Sequence, residues 1–324
     1  MTGYGYLIRR YASRWLFGSQ GPELCSLALS DPQAEIQVCL CGPGVAIDVT
    51  HNHTIAATQP LTIAIALNSE LDPARAAGLF LRFREIKGES RLLGKIDLGW
   101  NMSTPLGGDQ LHFFRSGSSR NYCNSRHLAW RHDLGLVYRQ WRARRNQSQP
   151  IRLLPSELRS LFVLYVCPRP VFLVSVADGD RCNIFPMDLV GSIGSHYFSL
   201  ALHRTSTGIP LIEASGRLAI ASVPAAQMNL AYQLGKNHNK PGVDLASLPF
   251  ALTRSAVFGL PVPKFALRVR ELELETVRPL GSHTFFLCRI VEDQHWADGP
   301  QFFQAHSFYE PWRQRAVPLK RATV

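Results

Sequence analysis

Between residues 23 and 115, short apolar runs alternate with turns rich in Gly, Pro, Asn and Ser. Runs of about four to eight apolar residues between such turns are typical of β-strands. We therefore predict a small antiparallel β unit in this region. Its candidate strands are Leu24–Leu29, Ile36–Leu40, Leu61–Leu67, Leu79–Phe83 and Leu111–Phe114.

The segment 126–145 has a different pattern, because apolar residues recur there every three or four positions. Leu134, Val137, Tyr138 and Trp141 fall on one stripe of a helix whose remaining surface is rich in arginine. A basic aromatic helix suits nucleic acid, but the apolar stripe favours a helix that docks on its own domain. No nucleic-acid partner is expected.

A polar run at residues 146–150 follows this helix and is typical of a linker. A chain of 324 residues is long enough for two domains. We therefore predict a β-rich N-terminal domain of unknown role at residues 1–150 and a second domain at residues 156–324.

The second domain opens on an apolar run that ends at an Asp-Gly turn. Residues 171–177 and 182–187 flank the turn at residues 178–180, which predicts a β-hairpin. Tyr197–Leu202 is predicted as a third strand and Arg217–Val223 as a buried strand.

Two short helices are predicted around these strands. Ser206 or Thr207 can cap the first helix, with Pro210 in its first turn. The second helix starts at Pro224 and ends at Gly235, the residue type expected just beyond a helix C-terminus.

A long strand-like run at residues 265–277 changes its apolar phase partway. Residues 265–269 place apolar side chains at odd positions, whereas residues 272–276 place them at even positions. A slip of one residue is what a β-bulge produces, and barrels use bulges to turn corners. With His283–Val291 paired antiparallel to this run, we expect a closed or half-closed barrel.

Composition agrees with a turn-rich globular protein, and the basic charge suits anionic ligands or anionic surfaces without naming one. The chain is 46% hydrophobic, with 24 Gly and 21 Pro. Its net charge of +11 suits phosphorylated cofactors. The seven cysteines have no framework spacing, so we expect free thiols and a cytoplasmic location.

Membrane association is expected to be peripheral at most. No apolar run reaches the roughly 18 residues needed to span a bilayer. Residues 4–17 are predicted as an amphipathic helix, which either docks on its own domain or contacts a membrane surface.

Two spaced pairs, Cys39 with Cys41 and His51 with His53, form a weak metal candidate. On adjacent strands they can give a tetrahedral zinc site, but their spacing departs from known zinc motifs. Polar residues on a half-buried sheet are the more common outcome, so no metal is predicted.

Several motifs of the second domain follow one another in an order that can be compared with known families. They are Cys167-Pro168-Arg169-Pro170 with Val174-Ser175, Asn183 with Phe185-Pro186-Met187-Asp188, Leu200 to Ser206, Ile220 to Ser222, Gly281-Ser282-His283-Thr284, and His306 to Tyr309 with Trp312-Arg313. Over residues 160–315 this order resembles the flavin reductase-like, FMN-binding split-barrel family. No family resemblance is found for the N-terminal domain.

The resemblance implies a β-rich α+β fold, an FMN-binding split β-barrel preceded by a smaller β-rich domain. It implies FMN as cofactor, with FAD as the other option, and NAD(P)H as electron donor in a flavin reductase-like hydride transfer. It also implies a homodimer with the flavin near the interface. The alternative is a non-catalytic FMN-binding or accessory protein that acts through its N-terminal domain.

The same resemblance supplies the candidate site residues. His283 is the catalytic candidate, since the family places a His near the nicotinamide or substrate. Arg204 can pair with a phosphate in bidentate fashion. The cofactor-binding candidates are Ser175, Asn183, Phe185, Pro186, Met187, Asp188, Leu202, His203, Arg204, Thr205, Ser206 and Ser222.

Overall fold

The computed structural model describes residues 24–68, 71–74, 76–86, 89–123 and 154–306, together with 309, 313 and scattered residues from 125 to 141. The helix predicted at residues 4–17 and the linker at 146–150 lie outside the described residues. Among the residues described, no helix has the length and apolarity to cross a bilayer.

One antiparallel sheet of seven strands, here called the N-terminal sheet, follows the first strand β1 (Leu24–Leu29). Its order is β3-β2-β6-β7-β8-β5-β4. Helix α1 (Pro155–Leu164) covers this sheet, and Val163 and Leu164 belong to its buried core. The strands are β2 (Ile36–Gly42), β3 (Val45–Asp48), β4 (His53–Thr58), β5 (Leu61–Leu67), β6 (Phe80–Glu85), β7 (Leu92–Leu106) and β8 (Asp109–Asn121).

A second sheet of seven strands, the C-terminal sheet, has the order β11-β10-β14-β17-β18-β13-β12. Its strands are β10 (Phe172–Asp178), β11 (Arg181–Met187), β12 (Val190–Ile193), β13 (Tyr197–His203), β14 (Arg217–Ser222), β17 (Arg268–Leu280) and β18 (His283–His295). The outer strands β11 and β12 do not pair with each other in the described chain. The barrel is therefore half-closed, within the range that the bulge pattern predicted.

Two connections of the C-terminal sheet carry further structure. Helix α2 (Gly208–Ser215) links β13 to β14. Residues 223–267, here called the excursion, link β14 to β17. The excursion holds α3 (Met228–Leu234), three 3₁₀ turns (Ala225–Gln227, Gly235–Asn239 and Leu245–Ser247) and the paired strands β15 (Leu252–Arg254) and β16 (Pro261–Pro263).

A small third sheet joins β1 to two strands from the second half of the chain. Its order is β1-β19-β9, with β19 at Gln301–His306 and β9 at Arg169–Pro170. Strand β1 is antiparallel to β19 and pairs Leu24 with His306. Strands from both sides of residue 150 thus share one sheet, and the division into domains 1–150 and 156–324 stays a prediction.

The two large sheets have the same topology. If the seven strands of each are ranked along the chain, both orders read 2-1-5-6-7-4-3, with every neighbouring pair antiparallel. Both sheets also carry two bulges in the pairing of ranks 6 and 7. Residues of the two copies can be matched by their distance from the β7–β8 turn and from the β17–β18 turn. By this count Leu98 corresponds to Leu272 and Met102 to Thr276, and these residues border the bulges in each sheet. The N-terminal sheet therefore repeats the strand topology of the C-terminal sheet, and the two sheets are here called the first and second copy.

Most predicted elements of the second domain are confirmed. The hairpin forms as β10 and β11, its turn has Gly179 at φ +58°, and the bulged strand β17 pairs with β18. Strand β10 is buried on both sides: Phe172, Val174 and Val176 pack towards α2, whereas Leu173 packs towards the excursion. That double burial explains its unbroken apolar run.

Two helix predictions need correction. Gly235 has φ −53° and the chain continues into a 3₁₀ turn there, so it is not a left-handed helix terminus. The described residues of the segment 126–145 are helical, as predicted, but Leu134 and Val137 of its apolar stripe are exposed. Helix α1 packs against the core of the N-terminal sheet, and the segment contacts α1 through the ion pair of Asp133 with Arg159 at 3.4 Å.

Candidate functional site

A cavity of about 270 Å³ opens at one end of the C-terminal sheet. Ligand pockets of proteins usually measure roughly 300–1,000 Å³, so this cavity can enclose part of a cofactor and leave the remainder in the open cleft. It is lined by Pro186, Met187, Asp188, Leu189, Ala201, Leu202, His203, Thr205, Ser206, His238, Asn239 and His283.

Strand pairing brings two histidines together in this cavity. His203 ends β13 and pairs directly with His283, which begins β18. Their ring centroids are 5.5 Å apart in an edge-to-face arrangement. Burial, and then the neighbouring His203, lowers the pKa of His283 to about 4, so its ring is neutral at pH 7.

The hydrogen bonds of His283 define its tautomer. The backbone N–H of Thr58 donates to Nδ1 at 3.5 Å, and Oγ of Ser282 lies 2.8 Å from the same nitrogen. A neutral imidazole whose Nδ1 accepts carries its proton on Nε2. His283 therefore presents an N–H donor.

The turn between β13 and α2 places small polar groups at the cavity rim. The hydroxyl of Thr205 lies 2.8 Å from Nδ1 of His203, and Oγ of Ser206 accepts from the N–H of Gly208 at 3.4 Å. The N–H groups of Gly208 and Ile209 at the start of α2 both bond Ser206, so the hydroxyls of Thr205 and Ser206 are the groups of this rim that suit an anion. A Cβ on Gly208 would lie 3.0 Å from the ring of Phe185, which is tighter than ordinary side-chain packing.

The excursion forms one wall of the cavity through its second 3₁₀ turn. Asn183 donates to the carbonyls of Asn237 and Lys240 at 3.1 and 2.8 Å, and Asn237 donates back to the carbonyl of Ile184 at 2.8 Å. Nε2 of His238 lies 2.6 Å from the carbonyl of Pro186. These bonds fix His238 and Asn239 in the cavity wall.

Asp188 lies in the cavity, and the buried hydroxyl of Tyr165 donates to its Oδ2 at 2.7 Å. Burial, reinforced by this carboxylate, raises the pKa of Tyr165, which therefore remains a donor. This hydrogen bond to Oδ2 partly compensates the negative charge of the Asp188 carboxylate.

Eight of the thirteen sequence-predicted residues line the cavity: Pro186, Met187, Asp188, Leu202, His203, Thr205, Ser206 and His283. The remaining five do not. Ser175, Asn183, Phe185 and Ser222 are completely buried, and Arg204 is exposed outside the lining. The four buried residues lie on strands with their side chains in the interior, whereas Arg204 lies in the turn that follows β13.

Sequence reasoning missed Leu189, Ala201, His238 and Asn239. The first two directly adjoin predicted positions. His238 and Asn239 lie in a cluster of Asn, His and Lys at residues 236–240, which the sequence shows but which is remote from the other motifs. Only the fold brings it to the cavity.

The weak zinc candidate does not form. Nδ1 of His53 lies 2.7 Å from the carbonyl of Val49, and its Nε2 faces Nη2 of Arg169 at 3.4 Å. Burial and the Arg169 cation lower the pKa of His53 to about 3. Within the described residues, which include all four candidates, no cluster of three or more His, Cys, Asp or Glu can hold a metal.

Comparison with known proteins gives the family of the second half. Residues 164–309 match the family model described as flavin reductase like domain. Residues 164–309 are therefore similar to a flavin reductase-like domain. The β-rich split-barrel fold expected for this region is confirmed. A search of curated proteins gives no significant match.

Solved structures also resemble this flavin reductase-like domain. The NADH:FAD oxidoreductase SgcE6 of Streptomyces globisporus C-1027 is 19% identical, with a TM-score of 0.41, over 48% of this chain and 94% of its own. BorF, the flavin reductase component of a bacterial two-component tryptophan halogenase, is 18% identical, with a TM-score of 0.41, over 47% and 94%. An FMN-binding protein of Thermus thermophilus is 25% identical, with a TM-score of 0.36, over 40% and 73%.

Proposed function

We propose that this protein is a flavin-binding oxidoreductase that uses NAD(P)H to reduce FMN, with FAD as the other candidate flavin. The observation that carries the proposal is the cavity formed by the flavin reductase-like domain, where eight of the predicted residues meet. A cytoplasmic location and a homodimer remain predictions from the sequence.

Two features of the cavity lining support the binding of a flavin phosphate ester. Met187, Leu189, Ala201 and Leu202 offer apolar surface to a fused ring system, and the hydroxyls of Thr205 and Ser206 at the rim offer donors to an anion. Arg204 is exposed one residue from this rim. A bound flavin would supply the redox chemistry, taking a hydride from a dihydronicotinamide and a proton from solvent while the nicotinamide leaves oxidised.

His283 acts as a hydrogen-bond donor rather than as an acid. With its pKa near 4 it is neutral at pH 7, and Nε2 carries the proton. A neutral donor orients a carbonyl or amide group without delivering its own proton. His283→Asn should therefore slow flavin reduction without creating a new pH dependence between about pH 5.5 and 8.

The direct test is spectroscopic. Purified protein is titrated with FMN, and NADH or NADPH is then added without oxygen while the flavin absorbance is followed. Bleaching by either nucleotide supports the proposal. If FMN does not bind at micromolar concentration, the proposed cofactor is wrong; if FMN binds but neither nucleotide bleaches it, the reductase activity is wrong.

Two serine variants, one in the turn before α2 and one at the last residue of α2, test whether the cavity rim binds the phosphate. Ser206→Ala removes a hydroxyl from the cavity, whereas Ser215→Ala removes one that bonds the carbonyl of Arg217 at 2.8 Å. Loss of a hydrogen bond to a charged group costs about 1.5–3 kcal/mol, so the Kd for FMN should rise at least about tenfold in Ser206→Ala. Riboflavin, which has no phosphate, should bind both variants like the parent, and equal FMN affinity of both variants would remove Ser206 from the site.

Asp188 supports a second candidate, a non-catalytic flavin-binding or accessory protein. A carboxylate in the cavity repels both a flavin phosphate and a reduced nicotinamide dinucleotide. This candidate predicts flavin binding that is stronger for riboflavin than for FMN and that no nicotinamide reduces.

A further inference from the structure

We propose that the N-terminal unit, meaning the N-terminal sheet with α1, is a built-in second subunit that completes the flavin reductase-like domain within one chain. The protein then works as a monomer with one flavin site. This competes with the predicted homodimer. The positioning role of the unit rests on the proposed function, whereas the one-chain assembly does not.

Contacts between the two sheets are reciprocal, as a two-fold axis requires. The β17–β18 turn meets the β4–β5 turn: the N–H of Ser282 donates to the carbonyl of Gln59 at 2.7 Å. In the opposite direction, the β7–β8 turn meets the start of β13, where the position of a Cβ on Gly107 lies 3.3 Å from the hydroxyl of Tyr197. The β7–β8 and β17–β18 turns are equivalent in the two copies, and so are the β4–β5 and β12–β13 hairpins.

Equivalent residues also meet each other, which places them beside the pseudo-two-fold axis. Nη2 of Arg278 donates to Oγ1 of Thr104 at 2.8 Å, and these two residues hold the same position relative to the hairpin turn of their copies. The position of a Cβ on Gly191 lies 3.1 Å from Oγ1 of Thr54, again an equivalent pair.

A buried apolar cluster lies between the copies and is built from matching positions. The rings of Phe113 and Phe285 are 5.3 Å apart at right angles, and both are almost fully buried. By register, the cluster contains the equivalent pairs Leu106 with Leu280, Leu111 with Phe285, Phe113 with Leu287, and Ala66 with Ala201. An interface with this apolar, well-packed centre resembles that of a permanent dimer.

The sequence retains traces of the same duplication. Pro105-Leu106-Gly107 and Pro279-Leu280-Gly281 occupy the same turn, and the two glycines have φ values of +57° and +52°. Each turn is followed by a Phe-Phe pair, at residues 113–114 and 285–286.

The first copy lacks the parts that form the cavity in the second. Residues 204–216 contain α2, whereas the described residues of the equivalent link 68–79 contain no helix. The link between β6 and β7, residues 86–91, is much shorter than the excursion, which is the equivalent link in the second copy. The position equivalent to His283 is Asp109, which is exposed. One site per chain is therefore expected.

The first copy instead positions the candidate catalytic residue of the second. The N–H of Gln59 donates to Oγ of Ser282 at 3.1 Å, which turns the Ser282 hydroxyl proton towards Nδ1 of His283 at 2.8 Å. The N–H of Thr58 reinforces Nδ1 as an acceptor. Backbone groups of the N-terminal unit thus hold the His283 tautomer.

The assembly is tested on the full chain by light scattering after gel filtration, with FMN bound per chain measured by calorimetry. We expect a mass near 36.2 kDa and one FMN per chain. Flavin bound only by a species of two chains, or two flavins per chain, would overturn the proposal. If no FMN binds, the proposed function fails, while the mass still tests the one-chain assembly.

A matched pair of glycine variants tests the contact itself. Gly281→Ala and Gly179→Ala introduce the same backbone strain at φ +52° and +58°, but only the Cβ at 281 would meet the carbonyl of Gln59, at 2.1 Å. We expect Gly281→Ala to lower Tm by several degrees more than Gly179→Ala. Gly281→Ala should also lower the rate of flavin reduction, as His283→Asn does, with little change in the Kd for FMN. Equal effects of the two variants on Tm and rate would contradict the positioning role.

Discussion

Asp188 shows how one neighbour changes what a charged side chain does in a cavity. Its carboxylate faces the proposed flavin cleft, yet the hydroxyl of Tyr165 binds it at 2.7 Å from the buried side. The burial of Tyr165 keeps that hydroxyl protonated. The pair therefore reduces, without removing, the negative charge that an anionic cofactor meets.

Removal of the Tyr165 hydroxyl should weaken FMN binding more than riboflavin binding. In Tyr165→Phe the carboxylate loses a hydrogen bond that contributes about 1.5–3 kcal/mol, and its charge acts more strongly on a phosphate. Tyr309→Phe is the control, because Tyr309 is equally buried and donates to Glu35, a residue outside the cavity lining. FMN titrations of both variants check this, and equal loss of FMN affinity in the two would refute it.

At the scale of elements, strand β17 contacts the excursion through one residue that lies beside a bulge. Its buried Glu271 accepts from Oγ of Ser255 at 2.6 Å and from the N–H groups of Val257 and Phe258 at 2.8 and 2.6 Å. The bulge lies directly between Glu271 and Leu272. One carboxylate thus satisfies three donors of the loop between β15 and β16.

Glu271→Ala should lower the free energy of unfolding by about 3–5 kcal/mol, because three buried donors lose their charged acceptor. Glu273→Ala, two residues along the same strand, removes a half-exposed partner of Arg289 and should cost about 0–1 kcal/mol. Urea unfolding followed by circular dichroism measures both. A difference below about 1 kcal/mol between them would show that the loop does not depend on Glu271.

At the scale of the whole molecule, the small sheet β1-β19-β9 and the apolar cluster between the copies join the two large sheets twice. The core of the N-terminal sheet includes Phe303 of β19 as well as residues of α1. Neither sheet can unfold without exposing apolar surface of the other.

Thermal unfolding should therefore be a single cooperative transition, although each sheet has the size of a small domain. Differential scanning calorimetry should give a calorimetric enthalpy close to the van't Hoff enthalpy. Two resolved transitions would show that the sheets are independent. Phe285→Ala, which empties part of the shared cluster, should broaden or split the transition, whereas Ile220→Ala, in the core of the C-terminal sheet alone, should only lower Tm.

Sequence patterns predicted the second half of the molecule well because its signals are local. The Asp-Gly turn, the phase slip in β17 and the apolar run of β10 each follow from spacing within one or two strands. The sequence could not predict which way the side chains of Ser175 and Ser222 point. A strand that is buried on both faces is apolar throughout, so its pattern does not distinguish one face from the other. Their Oγ atoms lie in the core without hydrogen-bond partners in the described residues.

The five strands predicted in the first half all form, but its longest strand, β7, was missed because its sequence gives a weak strand signal. Strand β7 carries Lys95, Asp97 and Asn101 among its apolar residues, and many of its side chains are exposed. The duplication escaped sequence reasoning because few identities survive at equivalent positions beyond the repeated Pro-Leu-Gly. Strand order, which depends on pairings between distant residues, shows it directly.

The matching positions of the apolar cluster have a consequence for how this interface can change. In a symmetric dimer each substitution is made twice, so any new side chain must fit against a copy of itself. Here Phe113 and Leu287 are equivalent positions that already differ, and so are Leu111 and Phe285. A large ring on one side therefore needs only a smaller residue on the other, and each side of the interface can be altered alone.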